Sequence, residues 1–303
     1  MLGENMPRDT SQREEGLQRI DYAAIRTTLS EVPTAIANRI DREKRAEVTA
    51  LHPGLPAILR LTVRVAEVTW NSIVFLCGDA DLAARRDEFS ISVPPLARTI
   101  LNSLFSIVFL FDQPTQNTRH YFASGWRELE ALQGRLTARY GSDPGWSDWL
   151  KAHGQQVAGF EADAAITTAE KAAPAGIKWW PNPGKMPAAI KDTERRAFLE
   201  HMNDWYYRNL SGDSHLSFPG LLRRGGHLSD MGDANQRVKT LWRYRSQVVL
   251  TGLTVFMAFL SEVVGQLQLE HEGQRLSAAW GHLGKWPEAD DLHRIRYKKW
   301  LPS

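Results

Sequence analysis

Two apolar stretches, LARTILNSLFSIVFLF at residues 96–111 and VVLTGLTVFMAFL at 248–260, set the terms on which this chain can fold. A helix with one apolar stripe can lie on a surface, but a helix apolar on nearly every side must be enclosed by protein or lipid. A membrane span needs about 20 apolar residues. The first stretch carries Arg98 and Asn102, and the second is 13 residues long. Both are therefore expected to be core helices rather than membrane spans. A chain of 303 residues, 43% hydrophobic and 24% charged, has enough apolar and polar material to wrap them.

The rest of the chain carries helical rather than alternating periodicity. Pro33 is expected to open a charged helix that Pro53 and Gly54 end. Leu59, Val63, Ala66, Trp70 and Val74 form one stripe of a helix from Pro56 to Cys77. After Gly78 a short helix leads to Pro94 and Pro95, which suit the first turn of the helix at 96–111. An amphipathic helix starting near Arg119 closes at Gly141, and another is expected from Trp146 to about Ala172. The segment APAGIKWWPNPGKMPA is too rich in proline and glycine for either regular structure and reads as a long loop. Asp192 is a candidate N-cap for the next helix, Gly212 is expected to interrupt it, and a last long helix spans roughly Asn235 to Glu270. The expected fold is an all-α helical bundle, mostly one domain. Residues 31–270 form the bundle, residues 1–30 a mobile or loosely docked arm, and residues 271–303 a basic-aromatic tail.

The polar start, MLGENMPRDTSQREEG, lacks a signal-peptide apolar region. Cys77 is the only cysteine, which excludes an intrachain disulfide and any multi-cysteine metal site. These features suit a cytoplasmic protein. A net charge of +2 gives no whole-surface basic field, so an RNA partner would have to be met by a local patch.

The functional question centres on MNDWYYRNLSGDSHLSFPG, residues 202–220. Gly212, Asp213 and Ser214, with Asp290 and His293, imitate a serine-esterase signature. That chemistry needs a strand-to-helix turn presenting the nucleophile, and the residues before Ser214 read as helix. RNLSGDSH offers a different pair, Arg208 and His215, with Asn209 after the arginine. The other Arg–His pairs at similar spacing, Arg45–His52, Arg195–His201, Arg196–His201 and Arg275–His282, lack Asn, Asp or His after the arginine. Histidine titrates near neutral pH and can take the ribose 2′-OH proton, while the planar guanidinium matches phosphate oxygens.

This element resembles the Arg-polar-x-His motif of the HEPN superfamily of helical proteins, many of them ribonucleases. More broadly, residues 55–265 resemble a bacterial helical family, domain-of-unknown-function family 5677. That family has an apolar helix bearing an arginine, here Arg98, and later in the chain a Tyr-x-x-Leu-Ser-x-x-x-His element, here Tyr207, Leu210, Ser211 and His215. It often has Glu four residues after the arginine. This chain has Asn102, so an Arg98–Asn102 hydrogen bond is expected in place of an ion pair. The resemblance implies a metal-independent endoribonuclease, or a degenerate relative, in bacterial defence or stress. Arg208 and His215 would be catalytic with Asn209 as polar helper, in a homodimer that completes the site, with RNA as substrate and a partner or antitoxin protein. It implies no cofactor and no membrane.

The same residues admit a non-catalytic reading, a helical scaffold or sensor in which Tyr207, Leu210 and His215 pack and Ser211 or Asp213 caps a helix. Trp179 and Trp180, beside Lys178 and Lys185, suit stacking on single-stranded nucleic acid or clamping of the loop onto the bundle. Glu200, His201 and Asp204 lie within about a turn of one another, but no metal motif organises them and they read as solvated polar residues.

Overall fold

The computed structural model describes residues 22–77, 87–214, 234–284, 286–298 and 300–301. The bundle comprises α1 (Tyr22–Arg42), α2 (Arg45–Leu51), α3 (Leu55–Cys77), α4 (Val93–Asp112), α5 (Pro114–Tyr140), α6 (Ser147–Asp163), α7 (Thr168–Ala172), α8 (Met186–Ala189), α9 (Thr193–Met202), α10 (Arg208–Ser214), α11 (Ala234–Leu267), α12 (Glu270–Leu283) and α13 (Pro287–Leu292). Five-residue π-helical turns, Asn203–Tyr207 and His293–Tyr297, follow α9 and α13. The fold is all-α, with no strand among the described residues.

The first apolar stretch becomes α4 at the centre of the bundle. From Leu104 to Phe111 every residue except Ser106 is buried. Helices α3, α5, α9, α10 and α11 pack against it, α11 most extensively. The second stretch lies in α11, whose residues 252–264 are all buried. Phe89–Asp112 and Lys239–Leu267 are long and apolar enough to cross a membrane, but 61% and 83% of their most apolar windows are buried within the bundle. Protein encloses most of both.

The ends of α4 fix its neighbours. Pro94 falls in its first turn, where the missing N–H goes unused. At its C-terminus, Asp112 accepts the backbone N–H groups of Lys191 and Asp192, each at 3.0 Å. Asp192 caps α9 by accepting from the Arg195 N–H at 2.8 Å. The Arg195 side chain then turns back to the Phe111 carbonyl and to Gln266 of α11 at 3.0 Å. One connected network thus satisfies the open end of α4 and aims α9 and α10 along it.

Local signals mislead in three places. Pro33 lies inside α1 rather than opening a helix. The buried stripe Ile25, Leu29, Val32, Ile36 and Ile40 runs past it on both sides, and its packing against α3 and α12 outweighs the lost backbone bond. The expected arm, residues 1–30, therefore already holds core residues at its end, and residues 1–21 lie outside the described residues. The helix expected from Trp146 to Ala172 is divided, because Ala165 takes a left-handed conformation and Thr167 with Glu170 forms a capping box for α7. Gly212 does not interrupt α10, which continues to Ser214. A single helical glycine costs only about 1 kcal/mol.

The expected C-terminal tail is instead part of the core. Trp280 and Tyr297 are completely enclosed, and the Trp280 indole N–H donates to Ser261 at 3.0 Å. The decisive contact is electrostatic. Glu262, fully buried on α11, is held in a two-pronged ion pair by Arg296, with Nε–Oε1 at 2.8 Å and Nη2–Oε2 at 3.2 Å. The guanidinium lies between the rings of Trp300, 3.9 Å away, and Phe198, 4.9 Å away. Gly265 admits the Trp300 ring, since a Cβ there would stand 2.5 Å from it. Truncation of Arg296 to Ala leaves a buried carboxylate unpaired and should cost about 3–5 kcal/mol in denaturant unfolding. The double variant Glu262→Leu/Arg296→Met should recover most of that loss. If Arg296→Ala alone costs less than 1 kcal/mol, the pair does not hold the C-terminal segment in place.

Candidate functional site

The chain from Asp192 to Ser214 is nearly continuous helix: α9, the π-helical turn and α10. A π turn inserts one residue into the helical repeat and shifts the faces that follow, a local cost often kept at functional positions. Here Tyr206 is buried and Tyr207 half-buried, while Trp205 and Arg208 stay exposed. Leu210 anchors the inner side of α10 in the core.

Arg98 and Tyr207, 109 residues apart, meet at this inner side. Arg98 Nη2 donates to Tyr207 Oη at 3.1 Å, and its guanidinium stands 5.2 Å from the ring centroid. Tyr207 also packs on Phe105 at 5.9 Å. The expected Arg98–Asn102 bond is absent: Asn102 Oδ1 is buried and accepts no hydrogen bond from any described residue. The tyrosine hydroxyl lies where the arginine fork can reach it, and takes the role expected of the asparagine.

The outer face carries the charged groups. Arg208 keeps 71% of its side-chain surface exposed and pairs with Asp204 one turn back at 3.3 Å. At this exposure the pair is screened and readily exchanged for another anion. Asn209 is exposed, and its amide donates to the Trp205 carbonyl at 2.8 Å. Ser211 is half-buried inside α10 rather than at its start, so it does not cap that helix. His215 lies outside the described residues.

No family model, curated protein or solved structure matches this chain. The residues themselves must carry the functional argument.

The two tryptophans divide their tasks. Trp180 clamps the loop. Its ring meets Phe109 and Tyr121 edge-on, each at 5.1 Å, and its backbone N–H donates to Ser124 at 2.7 Å. Trp179 remains 53% exposed, with the Arg127 guanidinium 3.9 Å over its ring. Phe105 and Phe109 are one turn apart on α4, so Tyr207 and Trp180 pack along one stripe of that helix. The turn Pro183–Lys185 packs on the π-helical turn, where Gly184 adjoins Asn203 and Tyr207.

His201 departs from the solvated polar residue that its spacing suggests. It is half-buried against Trp205, with ring centroids 6.2 Å apart, and is not the freely solvated residue expected from its neighbours. Burial lowers its pKa from the ordinary 6.5, opposed by Asp291 and Asp204. The signal was available as a histidine one turn from tryptophan on a helix. Among the described residues no three His, Cys, Asp or Glu side chains come together to hold a metal. The imitation esterase pair is separated in role too, since His293 stacks on Trp280 at 5.5 Å.

Removing the Tyr207 hydroxyl by Tyr207→Phe should destabilise the fold by about 1–2 kcal/mol, read from the denaturant midpoint, because a half-buried guanidinium loses an acceptor. No change would place the clamp elsewhere.

Acidification provides a second test. A histidine held below its unfolded pKa binds fewer protons folded than unfolded, so stability present above about pH 6.5 is lost as pH falls toward the folded value. Burial lowers His52 and His293 in the same direction as His201. Stability should therefore drop as the pH falls below about 6.5, and His201→Gln should flatten that drop. An identical slope in the variant would contradict the burial of His201.

Proposed function

We propose that the outer face of α10 is a phosphate-facing site and that the chain is a HEPN-like, metal-independent endoribonuclease or a degenerate relative of one. The observation that carries this reading is the exposed Arg208 on a helix fastened from beneath by Arg98 and Tyr207. A guanidinium on a fixed helix, held among the described residues by one solvated carboxylate, can exchange that partner for a phosphate at little cost.

The chemistry follows from these groups. His215 takes the 2′-OH proton, the 2′ oxygen attacks the adjacent phosphorus, and the 5′ oxygen departs with a proton taken from water. The products are a 2′,3′-cyclic phosphate and a free 5′-OH. Arg208 offsets the charge growing on the phosphate oxygens, and Asn209 donates from the adjacent helical position. Defence or stress as the setting, a second protomer completing the site and a controlling antitoxin-type partner all rest on the family resemblance. A scaffold or sensor is the second reading, favoured by the packing of Tyr207, Leu210 and Trp180.

Purified protein should cleave RNA in EDTA. Arg208→Ala and His215→Ala should each lower the rate by at least ~100-fold, and Arg208→Ala should leave the melting temperature unchanged. Cleavage that survives both substitutions would overturn the assignment, and intact RNA with the wild type would favour the scaffold.

A further inference from the structure

Packing of the loop does not account for Trp179. Its neighbour Trp180 already supplies the clamp, yet the backbone on both sides of Trp179 is gripped by one stripe of α5. His120, Ser124 and Arg127 lie at i, i+4 and i+7 on that helix. Arg127 donates to the Ile177 carbonyl, and His120 Nε2 donates to the Lys178 and Trp179 carbonyls at 3.2 Å each. Ser124 accepts the Trp180 N–H. Trp179 is thus held in one place with 53% of its surface in solvent. The Arg127 guanidinium covers one face of the ring and leaves the other open.

The charge around the ring has one sign. From Lys171 to Lys191 the chain carries four lysines and no acid. Lys171 pairs with Glu161 and Lys191 bonds to Gln113. Lys178 and Lys185 are exposed, and no carboxylate among the described residues pairs with either. The ring also stands close to α10. Trp180 and Tyr207, the chain neighbours of Trp179 and Arg208, pack on Phe109 and Phe105, about 6 Å apart along α4 at 1.5 Å per residue.

We infer that the open face of Trp179 stacks on an unpaired base of RNA, with Lys178 and Lys185 meeting the phosphates of the same strand. The choice of RNA as occupant rests on the phosphate-facing reading of α10. Every base offers a flat π-face, so such a platform selects single strands without selecting sequence. Bases paired inside a duplex are already stacked and cannot reach it. The guanidinium behind the ring adds a cation near the strand without competing for the open face. Docking of an apolar protein surface would instead desolvate the lysines without pairing them.

The probe is labelled 2′-O-methyl oligouridylate, a single strand that lacks the attacking hydroxyl and survives any cleavage activity. Trp179→Ala should bind it about tenfold more weakly, with the slope of log affinity against log salt unchanged, and Trp179→Phe should keep most of the affinity. Both variants should melt with the wild type, since the ring is exposed. The wild-type preference for this strand over an abasic ribose-phosphate strand of equal length should fall by about tenfold in Trp179→Ala. Undiminished binding by Trp179→Ala would overturn the inference. So would an equal loss on the abasic strand, which would make Trp179 a support for the loop alone. A wild type that binds no single strand would also overturn it and leave the ring as a docking point for protein. Arg208→Ala separates this inference from the reading it rests on. Binding that depends on Trp179 and not on Arg208 keeps the stacking site and removes the α10 site, and the reverse pattern does the opposite.

Discussion

The bundle depends on enclosing α4. Over its last two turns this helix offers almost no polar face, so each neighbouring helix must cover a different side. Hydrophobic burial of this kind has no direction of its own and would tolerate sliding. Direction comes from the polar groups that α4 carries into the interior. The Phe109 carbonyl accepts from the buried Asn117 amide at 2.6 Å, and Asp112 holds the start of α9. Arg98 reaches Tyr207. Each contact fixes one neighbour along the axis, and the last two determine where α10 lies and which of its faces meets solvent.

The C-terminal segment obeys the same logic with a charge in place of a carbonyl. Glu262 lies in the middle of an apolar helix, and a bare carboxylate there would be costly unless neutralised or paired. Arg296 supplies the pair and brings Tyr297 and Trp300 with it. The sequence held a usable hint, since a single acid inside MAFLSEVVG requires a cation from elsewhere. Composition alone could not find it, because a short basic-aromatic segment looks the same whether solvated or packed.

That contrast marks how far the sequence can be read. Elements whose formation is local, such as α4 with its prolines, α5 closing at Gly141 and α9 opening at Asp192, follow from residue pattern. Elements decided by distant packing do not. Pro33 is tolerated because five buried residues on α1 find α3 and α12, and Gly212 because the helix carrying Leu210 is docked on α4. At the candidate site, the resemblance marked out Arg98 and Tyr207 separately and led to Asn102 as the partner of Arg98, whereas the bond to the Tyr207 hydroxyl required geometry. Trp179 and Trp180 are adjacent and alike in sequence, and only their neighbours separate a clamp from an exposed ring.

Helix α10 thus has an inner face that serves stability and an outer face that leaves Arg208 available, and this division is the central claim. The salt dependence of binding to single-stranded RNA tests it most directly. Each phosphate neutralised contributes a slope of about −0.7 in log affinity against log salt concentration. Arg208→Ala should reduce the magnitude of the wild-type slope by about that amount and leave unfolding unchanged. An unaltered slope in the variant would mean that Arg208 faces solvent and no phosphate, and the functional reading of this face would be lost.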